Sequence, residues 1–166
     1  MSENDTPTNV SESSETKDRP VLKLNCFLPY QLSHLAETVS RSFSKIYAEK
    51  YGIGIPEWRV IATLGEFEVV TARDVSSSTS MHKTKVSRAV AALEKRGFVT
   101  RDKNPDDMRE QTLRLTVTGI AVYEDIIPKA LAYSEGLQAA LTPGQQELLN
   151  EIFNRLHQAA RERDIE

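Results

Sequence analysis

The stretch that most constrains the fold lies between Ser80 and Thr116, where the apolar spacing changes period without a linker. Val86, Ala89, Val90 and Leu93 recur at steps of three and four, one side of a helix running from near Ser80 to Arg96. Gly97 follows where a left-handed C-cap belongs. Phe98-Val99-Thr100-Arg101 and Thr112-Leu113-Arg114-Leu115-Thr116 then alternate in period two. Between them lies a polar loop, Asp102 to Gln111, with Asn104-Pro105-Asp106 as its turn signal. A helix that feeds straight into a hairpin with a long charged tip is the economical reading.

The flanking segments are helical. Leu28, Leu32, Leu35, Val39, Phe43 and Ile46 form one stripe of a long helix that Gly52 and Gly54 end. Pro56 suits the first turn of a second helix carrying Trp58, Ile61, Ala62 and Leu64. Thr71, with Asp74 three residues on, caps a short third helix whose apolar content is thin: Ala72 and Val75, then Ser76, Ser77 and Ser78. After the hairpin, Thr118 opens a helix with Tyr123, Ile127, Ala130, Ser134 and Leu137 on one side, and Pro128 inside it predicts a kink. Thr142-Pro143 restarts the chain as a last helix bearing Leu148, Leu149, Ile152, Phe153, Leu156 and Ala159. The fold class is therefore mainly α with a small β-hairpin wing.

Charge is segregated along the chain. The whole carries −3, but residues 1–20 hold five acids and two bases with almost no aliphatic content, which reads as a disordered acidic tail. Residues 73–114 hold ten bases and six acids, whereas residues 117–166 hold four bases and eight acids. A basic middle and an acidic end suggest one face for a polyanion and another for something else. No apolar run approaches the ~20 residues that span a bilayer. No signal-peptide pattern opens the chain, and a single cysteine, Cys26, excludes a disulfide framework or a Cys-rich zinc site. These features point to a cytoplasmic protein without membrane, metal or cofactor. They also give no enzyme signature: His34, His82 and His157 sit in different elements, and the metalloprotease, P-loop and nucleophile-elbow patterns are missing.

The residues that the basic helix turns outward carry the functional signal. With Lys83 set at zero, the helical angle puts Ser87 at about 40°, Thr84 at about 100° and Arg88 at about 140°, while Val90, Val86, Leu93 and Ala89 occupy the opposite side. Lys and Arg neutralise phosphates or reach guanine edges, and Ser and Thr bond phosphates or bases. The helix N-terminus adds free N–H groups and positive dipole. At the hairpin tip, Asp107-Met108-Arg109 places an Arg where it can enter a minor groove, with an Asp two residues earlier to hold the guanidinium. The order helix, short helix, helix, hairpin matches a winged helix-turn-helix. A winged helix can also serve protein interaction alone, and three bases converging on groove positions, Lys83, Arg88 and Arg109, weigh against that.

From about Ile55 to Gly119 the chain resembles the DNA-binding core of the MarR family of transcriptional regulators. The resemblance rests on Glu57-Trp58-Arg59-Val60 with Leu64, Thr71 to Val75, Lys83-Thr84-Lys85-Val86-Ser87-Arg88, Leu93 to Val99 with Arg101, Asp106-Asp107-Met108-Arg109, and Leu115 to Gly119. Thr79 stands where the family usually has an aliphatic residue, and Met108 replaces a base common in the wing. The resemblance implies a homodimer. Residues 21–51 and 118–166 would form a helical dimerisation region, and residues 52–117 the winged lobe. It implies a repressor on a pseudo-palindromic double-stranded DNA operator. Lys83, Thr84, Lys85, Ser87 and Arg88 would lie in the major groove, and Arg109, oriented by Asp107, in the minor groove.

Two readings of the signal stay open. The resemblance places an effector pocket among the first helix, the second helix and the winged lobe. Tyr30, His34, Arg41 and Trp58 are its candidate lining, suited to a small aromatic effector such as an aromatic acid or an aryl-CoA thioester. Alternatively, Cys26-Phe27-Leu28-Pro29-Tyr30 resembles the reactive-cysteine segment of the family's organic-hydroperoxide-sensing branch, with Tyr30 as the partner of the Cys26 thiolate.

Overall fold

The caps written into the sequence set most element boundaries. A computed structural model describes residues 19–103 and 111–163. Helix α1 (Leu28–Tyr51) follows a short 3-10 turn at Leu24–Cys26. Pro56 opens α2 (Ile55–Phe67), and the Glu57 carboxylate accepts from the Gly54 amide at 2.9 Å. A two-residue strand, β1 (Val70–Thr71), leads into α3 (Ala72–Thr79). At that junction Thr71 and Asp74 form a capping box: the Asp74 amide donates to Thr71 Oγ1 at 3.2 Å, and the Thr71 amide donates to the Asp74 carboxylate at 2.8 Å. Helix α4 (Lys83–Lys95) precedes β2 (Val99–Lys103) and β3 (Gln111–Leu115). Helices α5 (Val117–Gln138) and α6 (Pro143–Glu162) close the described chain.

Several expectations shift. Helix α4 begins three residues later than Ser80, because Ser80 adopts a left-handed conformation that ends α3 and His82 becomes the N-cap. Gly97 does take the left-handed conformation, with φ of 71°. Helix α5 begins at Val117 because Thr116, not Thr118, accepts the capping bond from Gly119 at 3.0 Å. Its buried residues are Gly119, Val122 and Ile126, one position off the expected stripe. Pro128 lies inside the helix, as expected, and does not end it. Both hairpin strands reach into the expected loop, since Lys103 pairs with Gln111 in the antiparallel ladder. β1 carries too little pattern to be seen in sequence, yet it pairs with β3 through Val70 and Leu113, giving the sheet order β1-β3-β2.

Among the described residues, those up to Ala36 and those from Glu37 onward form two compact units. The core belongs to the second. Val60, Ile61 and Leu64 of α2 meet Val86, Ala89, Val90 and Leu93 of α4, with Val75, Val99, Leu113, Val122 and Ile126. The buried side of α4 is the set the spacing gives. In contrast, α6 is amphipathic and has no buried residue, and α1 buries only Tyr47. In the first unit Val21, Leu22, Leu24, Leu28 and Leu35 are all exposed. No helix among the described residues is long and apolar enough to cross a membrane.

Candidate nucleic-acid interface

The serine run explains how a nearly apolar-free helix holds α4 in place. Ser78 Oγ donates back to the Asp74 carbonyl at 2.9 Å, and Thr79 Oγ1 donates to the Val75 carbonyl. Ser76 Oγ instead donates to the Met81 carbonyl at 2.6 Å, across the turn between α3 and α4. Val75 and Met81 are the buried anchors on either side. Hydroxyl-to-carbonyl bonds thus fix a turn that apolar contacts alone would leave loose.

The N-terminus of α4 is capped by an aromatic base. His82 Nδ1 accepts from the Thr84 amide at 3.3 Å. Helix-starting patterns name Ser, Thr, Asp or Asn at this position, so sequence reasoning overlooked His82. Beyond the cap, Lys83, Thr84, Lys85, Ser87 and Arg88 are all exposed. No ion pair among the described residues takes up Lys83, Lys85 or Arg88. Three cations outside any described ion pair and two hydroxyls therefore lie along a helix whose other side is the core, next to a helix N-terminus.

The wing bases behave differently. Arg101 Nε donates to Glu94 at 2.9 Å and its Nη1 to Gln111 Oε1 at 3.3 Å, which braces β2 against α4. Arg114 pairs with Asp102 across the ladder at 3.6 Å. The expected tip residues Asp107 and Arg109 lie outside the described residues.

A second feature lies between α1, α2 and α5. A cavity of about 280 Å³ is lined by Phe43, Tyr47, Trp58, Arg59, Tyr133 and smaller residues from these helices. Its rings are mutually packed. Phe43 stands edge-on to Tyr47 and Trp58 at 5.4 and 5.7 Å, and stacks on Tyr133 at 5.3 Å. Tyr47 stacks on Trp58 at 5.6 Å. Burial pushes the Tyr47 phenol up to about 12, so it stays protonated at physiological pH. Of the expected lining residues, Trp58 is there. Arg41 is not: its guanidinium donates to Glu37 at 2.9 Å in an exposed pair. The cavity's cation is Arg59, the residue next to Trp58. Tyr30 and His34 belong to the first unit, where their rings stack at 6.0 Å. Cys26 is exposed in the 3-10 turn of that unit.

A three-stranded antiparallel sheet flanked by α2, α3 and α4 makes this a winged helix-turn-helix protein, a DNA-binding class. Residues 53–111 match the model of the MarR family. PrsX, an HTH-type transcriptional regulator of Escherichia coli, is 25% identical over 94% of this chain and 95% of its own length. A crystal structure of a MarR/EmrR family transcriptional regulator from Acinetobacter sp. ADP1 superposes with a TM-score of 0.77 at 23% identity, covering 85% of this chain and 99% of that one. A mutant MarR from E. coli, crystallised with operator DNA, gives 0.69 at 19% identity over 78% of this chain and 92% of its own. The chain is thus similar to MarR family transcriptional regulators, in sequence over residues 53–111 and in fold over most of its length.

Proposed function

We propose that the chain is a homodimeric repressor that reads a pseudo-palindromic operator with α4 and its wing and lets go when a small aromatic effector enters the α1–α2–α5 cavity. The observation that carries the DNA reading is the exposed set Lys83, Lys85 and Arg88, outside every ion pair among the described residues, beside Thr84 and Ser87 and opposite the buried Val86, Ala89, Val90 and Leu93. Arg109, held by Asp107, completes the contact in the minor groove. The protein acts in the cytoplasm, where its DNA is. Dimerisation is supported by the uncovered aliphatic faces of α1, α5 and α6. For the effector, four aromatic rings and Arg59 offer an apolar slot with one cationic donor, the chemistry that an aromatic carboxylate needs. An aryl-CoA thioester would lay its ring in the same slot.

Anisotropy titration of a labelled duplex from the gene's own promoter tests this. Binding should fall steeply with salt, by roughly 10³ or more between 50 and 200 mM for a dimer making six or more phosphate contacts. Absence of binding at low salt, or salt-insensitive partnering with another protein, overturns the reading. Addition of benzoate should quench Trp58 and release the duplex together.

A further inference from the structure

Arg96 terminates α4, yet its guanidinium serves a different helix. Its Nη1 donates to the carbonyl of Tyr51, and its Nη2 donates to the carbonyl of Gly52 at 2.9 Å. These carbonyls belong to the end of α1, where a helix runs out of internal donors. Two acceptors on consecutive residues fit the planar fork of Arg and not the point charge of Lys. A cation at a helix C-terminus also meets the negative end of its dipole.

The same turn of α1 is tied on another side to α5. Tyr51 Oη donates to Asp125 Oδ2 at 2.9 Å, and Lys50 Nζ pairs with Asp125 Oδ1 at 2.9 Å. Lys129 Nζ holds that carboxylate from its own helix at 2.6 Å. One turn back along α1 stands Tyr47, and another turn back Phe43, both lining the aromatic cavity. The end of α1 is thus a node. The cavity lies behind it, α5 is joined through the Tyr51 hydroxyl, and the DNA-reading helix is joined through the Tyr51 and Gly52 carbonyls.

We infer that Arg96 is a positioning residue: its two hydrogen bonds seat the end of α4 on the end of α1 and carry displacement of α1 to the recognition helix. The inference rests on α4 being the DNA-reading element. Coupling between two sites is reciprocal. If movement of α1 alters DNA binding, bound DNA steadies the last turn of α1 as well. The Gly52 amide, which donates to the Ala48 carbonyl at 2.8 Å, is a reporter in that turn.

Hydrogen exchange of the full-length protein, with and without saturating promoter duplex, reads this directly. In the wild type, duplex slows exchange in α4 and also at residues 48–52. In R96M, saturating duplex still protects α4 but no longer protects residues 48–52. R96K, with one donor centre in place of the fork, protects them less than wild type. Y51F loses the link to Asp125 while keeping the carbonyl, and retains the protection. Retention of full protection at residues 48–52 in R96M overturns the inference, as does its absence in the wild type when α4 is protected. Should R96M not fold, R96K decides in the same sense, and equality with wild type overturns. A duplex that leaves α4 itself unprotected in the wild type defeats the DNA reading, and this inference with it.

Discussion

At the scale of single residues, the interface divides its bases into two kinds. Lys83, Lys85 and Arg88 have no partner among the ion pairs of the described residues, whereas Arg96, Arg101 and Arg114 are engaged within the protein. Replacement of the first kind should act on DNA without touching the fold. Lys83→Ala should weaken binding about equally for different sequences and lower the salt-dependence slope by about one phosphate, measured by anisotropy against salt, with unchanged thermal stability. Arg109→Ala should cost more than about 1 kcal/mol at the operator and less on random duplex, as expected for a groove contact; equal loss on both would make it a phosphate contact only. The exposed face of α4 was legible in the sequence because helical geometry alone sorts Lys83, Thr84, Ser87 and Arg88 from Val86, Ala89, Val90 and Leu93. The engagement of Arg96 was not. It depends on a carbonyl pair more than forty residues away, and no local pattern announces a partner at that separation. Arg59 was missed for a related reason: sequence gives its type, but only packing places it in the cavity.

At the scale of elements, short polar devices do the work of apolar packing. Two such devices give sharp expectations. Gly119 opens the buried start of α5, and a Cβ there would overlap the Phe98 carbonyl oxygen, which is backbone and cannot turn aside. That carbonyl already accepts from the Thr116 amide at 3.0 Å, so the strand cannot retreat without losing a bond. Gly119→Ala should destabilise by about 1–3 kcal/mol, the range for overpacking, as read by chemical denaturation. The second device is Asp125 between α1 and α5. Lys129, then Lys50 and Tyr51, donate to its carboxylate and hold it well below the usual carboxylate range. As pH falls, the unfolded chain binds this proton first. The group's contribution to stability is full above the unfolded value, near about 4, and is lost as pH drops further. The melting temperature should therefore decline on acidification below about pH 5, and Asp125→Asn should decline less over the same window. Apart from β1 and the 3-10 turn at Leu24–Cys26, the existence of each described element was readable from periodicity and caps. The start of α4 was misplaced because Ser80 is a usual capping type and His82, two residues on, is not; the start of α5 was misplaced because Thr116 and Thr118 are both capping types. The strand at Val70–Thr71 has no period to display and exists because β3 offers it an edge.

At the scale of the whole molecule, the described chain leaves long aliphatic stripes uncovered, which is the ground for the proposed homodimer. Helix α6 presents Leu148, Ile152 and Phe153 at 52%, 42% and 44% exposure. Leu131 and Leu137 of α5 are likewise open, and the first unit exposes its own leucines. An amphipathic helix of twenty residues with nothing buried has no reason to hold its shape in water unless a partner covers its apolar stripe. In the proposed homodimer a second copy would supply that stripe by two-fold symmetry, and the same symmetry would set two copies of α4 on successive half-sites of a duplex. Placing a charge in the stripe should separate these consequences from local folding. Ile152→Asp lies far in sequence from the winged lobe and faces away from the core, so the lobe's own packing should survive. Light scattering should give the wild type the mass of the proposed dimer and the variant a mass nearer that of one chain. Operator affinity should fall well beyond the loss of a single half-site contact, since the second lobe would then bind as an independent molecule. A variant that stays dimeric places the interface elsewhere. A monomer that binds the full operator as tightly as wild type removes dimerisation from the mechanism of DNA recognition.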